Sequence, residues 1–107
     1  MTPGALVRVP PRARRGEVIE VTAMAAHPME TGVRPGADGR LVPRNIVHTF
    51  TCRYDGAEVF RAEFHPAITA NPYVAFTTVA TRSATLEFRW EDDRGAVIVA
   101  SATLLVD

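Results

Sequence analysis

Seven short segments with a two-residue hydrophobic period, turn signals between them, and no ten-residue window of helical periodicity predict an all-β chain, an immunoglobulin-like antiparallel β-sandwich. At 107 residues and 11.7 kDa the chain is long enough to bury one core and too short for two, so residues 1–107 read as one domain. Hydrophobic residues make up 47% and charged residues 22%, the profile of a folded chain and not of a disordered one.

Residues 5–9 are short and apolar and stop at Pro10 and Pro11. Proline has no N–H to give a ladder, which predicts a short edge strand. A longer strand follows over 17–25, where Val18, Ile19 and Val21 supply β-branched side chains. Residues 27–44 contain Pro28, Gly32, Pro35, Gly36, Gly39 and Pro43, too many breakers for a long regular element. They form a long loop or a hairpin turned at Asp38 and Gly39. Loops of this length inside a compact domain are usually functional.

Next, Ile46, His48, Phe50, Cys52 and Tyr54 alternate with Val47, Thr49, Thr51 and Arg53, which places the first set on the core face. Asp55 and Gly56 are a strong hairpin signal, and 57–64 returns as the next strand. His65, Pro66, Asn71 and Pro72 bound a second irregular stretch. Strands over 73–80 and 84–91 come after it. In the latter Leu86, Phe88 and Trp90 alternate with Glu87 and Arg89, so Trp90 is expected to be the core tryptophan. The turn at 92–95 leads into the last strand, 96–106.

Twelve basic residues, all arginine, balance twelve acidic ones, and no like-charged run is longer than Glu91, Asp92 and Asp93. Counterion release needs a concentrated basic face, so nucleic acid is not an expected partner. Exclusive use of arginine reads as codon bias, since the residues are scattered and not clustered for bidentate recognition. Cys52 is the sole cysteine, which excludes an intrachain disulfide and a multi-thiolate metal site. Arg14 and Arg15 ahead of 18–26 imitate a twin-arginine signal, but Glu17 and Glu20 interrupt the apolar run. With no stretch of about 20 apolar residues either, the expectation is a soluble chain without membrane insertion or an export signal of its own.

For catalysis, Cys52 with His27, His48 or His65 is the one conceivable pairing of nucleophile and base. Cys52 shares its face with Ile46, Phe50 and Tyr54, so the thiol should point inward and be inert. His48, on the same face, reads as a partly buried histidine or as a metal ligand. Asp92 and Asp93, with Glu91, precede Gly95 and read as turn carboxylates that accept backbone N–H groups, in preference to a calcium or acid–base site. No catalytic residue, metal site or cofactor is assigned. The run His27, Pro28, Met29, Glu30, Thr31 and Gly32 fits neither a turn nor a periodic core. Either it folds over the end of the sandwich with Met29 as an apolar plug, or it is a contact surface.

Several segments together carry a resemblance: Arg15-Gly16-Glu17-Val18-Ile19-Glu20, His27-Pro28-Met29-Glu30-Thr31-Gly32, Asp38-Gly39-Arg40-Leu41-Val42-Pro43-Arg44, Phe50-Thr51-Cys52, Pro66-Ala67-Ile68 with Ala70-Asn71-Pro72-Tyr73, and Trp90 with Asp92 and Asp93. In these, and in their order, the chain resembles the SoxZ family, small subunits of the SoxYZ carrier complex of bacterial sulfur oxidation. The resemblance implies a noncatalytic sandwich that binds SoxY, whose flexible C-terminal Gly-Gly-Cys-Gly-Gly arm carries sulfur intermediates of thiosulfate oxidation. Other sulfur-oxidation enzymes would be met through that complex. It also implies the periplasm, reached by export together with a signal-bearing SoxY. The closing residues Thr103-Leu104-Leu105-Val106-Asp107 include no cysteine and no glycine-rich arm, which agrees with a noncarrier role.

Partner-binding candidates are His27, Pro28, Met29, Glu30 and Thr31 with Asn71, Pro72 and Tyr73, because Met and aromatic side chains in irregular segments are enriched where protein surfaces meet. Without its partner the chain is expected to self-associate as a homodimer. The rival reading is a small redox or metal enzyme of superoxide-reductase-like fold using Cys52 and the histidines. Superoxide reductases bind iron through four histidines and one cysteine, whereas this chain has three histidines.

Overall fold

A computed structural model describes residues 4–66 and 70–107; Ala67 and Ile68, part of one motif named above, lie outside the described residues. Among the described residues, alternation produces eight strands: β1 (Ala5–Arg8), β2 (Arg12–Ala13), β3 (Val18–Ala25), β4 (Val47–Tyr54), β5 (Ala57–Glu63), β6 (Tyr73–Val79), β7 (Ala84–Asp92) and β8 (Val97–Val106). They form two sheets, ordered β1-β3-β6 and β2-β8-β7-β4-β5, packed as an immunoglobulin-like sandwich. Pairing is antiparallel throughout except between β2 and β8.

Each inner face contributes one layer of the core. From β3 come Ile19, Val21 and Ala23, from β4 Phe50 and Cys52, and from β7 Leu86, Phe88 and Trp90, all buried. Trp90 lies against Phe50 at a ring separation of 5.0 Å, as expected of the core tryptophan. Phe60 of β5 and Phe76 of β6 stack 4.3 Å apart and join the two sheets along the side where both strands are edges. The Tyr54 hydroxyl donates to the Arg82 carbonyl and accepts from the N–H groups of Thr81 and Arg82, which pins the β6–β7 turn.

The expected sandwich of about seven strands is present, with one further short strand among the described residues: β2 comprises only two residues, too few to display a period. Pro10 and Pro11 release the chain from the first sheet, and Pro11 and Ala13 then accept N–H groups of Leu105 and Asp107 across the sandwich. One expectation needs correction: His48 leaves the face predicted for it. A bulge between Val47 and Thr49 lets Ile46 and Val47 both point inward and turns His48 out, where its Nδ1 lies 2.7 Å from the Thr49 hydroxyl.

Of the two forms open to residues 27–44, the hairpin occurs. Isolated bridges join Glu30 to Asn45 and Pro35 to Leu41, and the Gly36 N–H donates to the Arg40 carbonyl at 2.7 Å. Asp38 accepts the Arg40 N–H at the tip. Gly32 is required where the arms close: its φ is +87°, and a Cβ there would lie 3.0 Å from that of Arg44.

Candidate functional site

Residues distant in sequence converge at one end of the sandwich around His27. The Met29 N–H donates to His27 Nδ1 at 2.9 Å, so the ring proton sits on Nε2, 3.2 Å from Asp92 Oδ2. Both partners are buried. The backbone of His27 is tied to Asn71 twice: its N–H donates to Asn71 Oδ1 at 3.0 Å, and its carbonyl accepts the Asn71 N–H at 2.7 Å. Met29 and Asn71 occupy the left-handed region, with φ of +54° and +56°. Asparagine tolerates that conformation, whereas methionine is held there against its preference by the surrounding bonds.

Asp92 is the hub. Its Oδ1 accepts the N–H groups of Arg94 and Ala96, both at 2.9 Å, as expected of a turn carboxylate. Burial alone would raise this carboxyl, but the Ala96 N–H, the His27 ring, the Arg94 N–H and the Asn45 side chain outweigh it and hold the carboxyl below its ordinary range. Asp93 is lowered likewise: burial opposes ionisation, and Arg44 at 2.8 Å with the Ile46 N–H at 3.2 Å overcomes it. Together the two carboxylates clamp the base of the 27–44 hairpin to the β7–β8 turn.

The eight partner-binding candidates therefore divide by position. His27, Met29 and Pro72 are interior, and Met29, only 4% exposed, fills the end of the core while its sulfur accepts the Val47 N–H at 3.2 Å. Glu30 and Thr31 are half-buried, with Glu30 bound to Arg34. Pro28, Asn71 and Tyr73 are exposed, Tyr73 to 60%. Of the two readings left open for Met29, its side chain takes that of a plug. Nothing local in the sequence links His27 to Asp92, 65 positions away; the one hint is that both fall within motif segments.

Tyr73 stands on the outer face of the β1-β3-β6 sheet, opposite Met24, which is itself opposite Leu6. Among the described residues of that face, only Arg8 and Glu20 are charged. The outer face of the other sheet is a shallow depression lined by Arg53, Arg61, Arg89, Glu58, Glu87 and Glu91. Ion pairs there, Arg61 with Glu58 and Arg89 with Glu91, neutralise it. Charge depletion at a patch centre is what marks protein interfaces.

Cys52 is wholly buried, and burial pushes its thiol up to about 12. His48 faces outward from the same strand, His65 is exposed and His27 is engaged with Asp92. Among the described residues no three His, Cys, Asp or Glu side chains gather closely enough to hold a metal ion.

The comparisons with known proteins agree with this architecture. The family model described as "Sulphur oxidation protein SoxZ" matches residues 7–103. No curated protein matches the chain. Among solved structures, a superoxide reductase (neelaredoxin) from Ignicoccus hospitalis superposes with a TM-score of 0.75 at 18% identity, covering 99% of this chain and 82% of that one. The sulfur carrier protein SoxY from Chlorobium limicola f thiosulfatophilum gives 0.71 at 13% identity, over 99% and 81%. The superoxide reductase of Archaeoglobus fulgidus in its reduced form gives 0.64 at 18%, over 94% and 88%. At such identities these likenesses establish the fold alone.

Proposed function

This chain belongs to the SoxZ family of sulphur oxidation proteins, and from that premise we propose that it is the noncatalytic subunit of a sulfur-carrier complex. It binds a SoxY-like subunit and presents that subunit's cysteine arm, loaded with intermediates of thiosulfate oxidation, to the other enzymes of sulfur oxidation. The proposal includes the periplasm as the compartment, reached together with a signal-bearing partner, and a homodimer as the state of the isolated chain.

The observation that carries this reading is the state of Cys52. A carrier must offer a thiolate to enzymes that approach from solvent, and this thiol is wholly buried on a strand position paired with Phe60 and Phe88, with burial pushing it up to about 12. This supports a division of labour in which another chain holds the sulfur. The superoxide reductases share the sandwich, but here Cys52 and His48 point to opposite faces of β4, so the iron set of those enzymes has no counterpart among the described residues. The likeness of SoxY to this chain supports a complex of two subunits with one fold.

Co-expression with a SoxY-like subunit, followed by mass spectrometry after exposure to thiosulfate and the oxidising enzymes, tests the proposal. A stable complex is expected, with the sulfur adduct on the partner's cysteine and Cys52 unlabelled by thiol reagents until denaturation. An adduct on Cys52 with none on the partner, or rapid labelling of the native thiol, refutes it.

A further inference from the structure

Among the described residues four strand edges could receive another chain, and three are protected. β5 carries exposed Glu58, Arg61 and Glu63, and its pairing with β4 is broken by a register shift between Cys52 and Arg53. β1 has four residues and runs into Pro10 and Pro11, and β2 has two. Charges, bulges, prolines and shortness are the usual means by which edges avoid pairing. β6 has none of these: Tyr73, Val74, Ala75, Phe76, Thr77, Thr78 and Val79 include no charge and no proline, and the register with β3 is unbroken over all seven residues.

The polarity of this edge follows from the register. The Ala25 N–H donates to the Pro72 carbonyl and the Ala80 N–H to the Glu17 carbonyl, so the even-numbered residues of β6 exchange hydrogen bonds with β3. Tyr73, Ala75, Thr77 and Val79 consequently direct four N–H and four C=O groups away from the sheet, along about 20 Å of open edge. Their side chains are the exposed ones of the strand, on the charge-poor outer face beside Met24 and Leu6.

We propose that β6 is the edge to which the carrier subunit joins, by antiparallel strand addition that merges the small sheets of the two subunits into one. This rests on the SoxY-like partner proposed above. The occupant is argued from the fold: the SoxY structure covers 99% of this chain, so the sandwich of such a partner has a counterpart of β6 to offer. Strand addition is written in backbone groups, which explains how two subunits with little sequence in common can still match. Tyr73, large and amphipathic, anchors one end of the seam.

Hydrogen exchange on the co-expressed complex is the test. The amides of Tyr73, Ala75, Thr77 and Val79 should exchange freely in the isolated chain diluted to its monomer and slow by roughly 100-fold or more in the complex. Thr77→Pro deletes an outward N–H and no bond to β3, and should weaken the complex by about 100-fold. Arg61→Pro makes the same deletion on the β5 edge and should leave affinity unchanged. A complex that forms while these four amides stay unprotected, or that tolerates Thr77→Pro, overturns the β6 proposal and leaves the partner assignment standing. Failure of any SoxY-like subunit to bind overturns both. Should Thr77→Pro disturb folding, exchange in the wild-type complex decides alone.

Discussion

Asn71 and Tyr73 are two residues apart, yet they belong to regions built on opposite principles. At Asn71 the chain is locked inward, bonded through side chain and backbone to His27, whose ring is held by Met29 and Asp92. From Tyr73 onward every second residue turns unpaired backbone to solvent. The locked end contains most of the two segments by which the family resemblance is most specific, Tyr73 being their one residue on the open edge, and the rest of that edge has a composition that any strand could have. Distinctive residues here mark a demanding internal constraint, and the surface offered to a partner lies beside them. A buried network fixes where β6 begins and so delivers its edge in a defined position.

The largest effect should come from the hub of the locked end. Asp92→Ala leaves the His27 Nε2–H and the N–H groups of Arg94 and Ala96 without acceptors, and should cost about 3–5 kcal/mol of stability by the scale of broken buried pairs. A thermal unfolding midpoint close to wild type would dissolve the distinction between the two regions. The pH dependence has a definite sign. Asp92 and Asp93 are both lowered in the folded state, so their stabilisation is complete above the ordinary carboxylate range and is lost as pH falls through the folded values. Midpoints recorded from neutral pH down to about 2 should fall more steeply for wild type than for Asp92→Asn.

Next in size is Met29→Ala. As an interior plug Met29 should cost about 2–3 kcal/mol when truncated, within the range for buried large-to-small changes. Partner affinity, measured by calorimetry at a temperature where the variant is folded, should stay within about twofold of wild type. A stable variant that binds poorly would return Met29 to the surface role that its position in an irregular segment first suggested.

Most strands were legible because period-two patterning and turn chemistry are local. Asp55-Gly56 and the 92–95 turn end strands where the sequence indicates, and Cys52 and Trp90 are buried as their alternation requires. What escaped was whatever depends on a single irregularity or on distance along the chain. One bulge residue reverses His48 while the letters around it keep their alternation. The pairing of His27 with Asp92 is created by the packing of hairpin against turn, and no spacing rule spans it. The openness of β6 was equally hidden, since a strand's place at an edge is decided by sheet order and not by its own residues.

The smallest stability effect should belong to Tyr73, and it sharpens the comparison most. Its side chain stands on solvent at 60% exposure and meets its own sheet only through neighbours such as Met24, a cross-strand pair worth roughly 0.2–1 kcal/mol. Tyr73→Ala should therefore leave the unfolding midpoint of the isolated chain within a few degrees of wild type. In the complex the same ring would be enclosed at one end of the β6 seam, where a tyrosine has the area and the hydroxyl of an interface anchor, so affinity should fall by about 10- to 100-fold. Val18→Ala is the matched control: Val18 lies on the same outer face but at the opposite end of β3, opposite Val79. Losses of affinity that are large for Tyr73 and slight for Val18 would locate the anchor next to the locked end. Equal losses would spread the contact along the whole face, and a Tyr73→Ala chain that binds like wild type would remove the ring from the interface altogether.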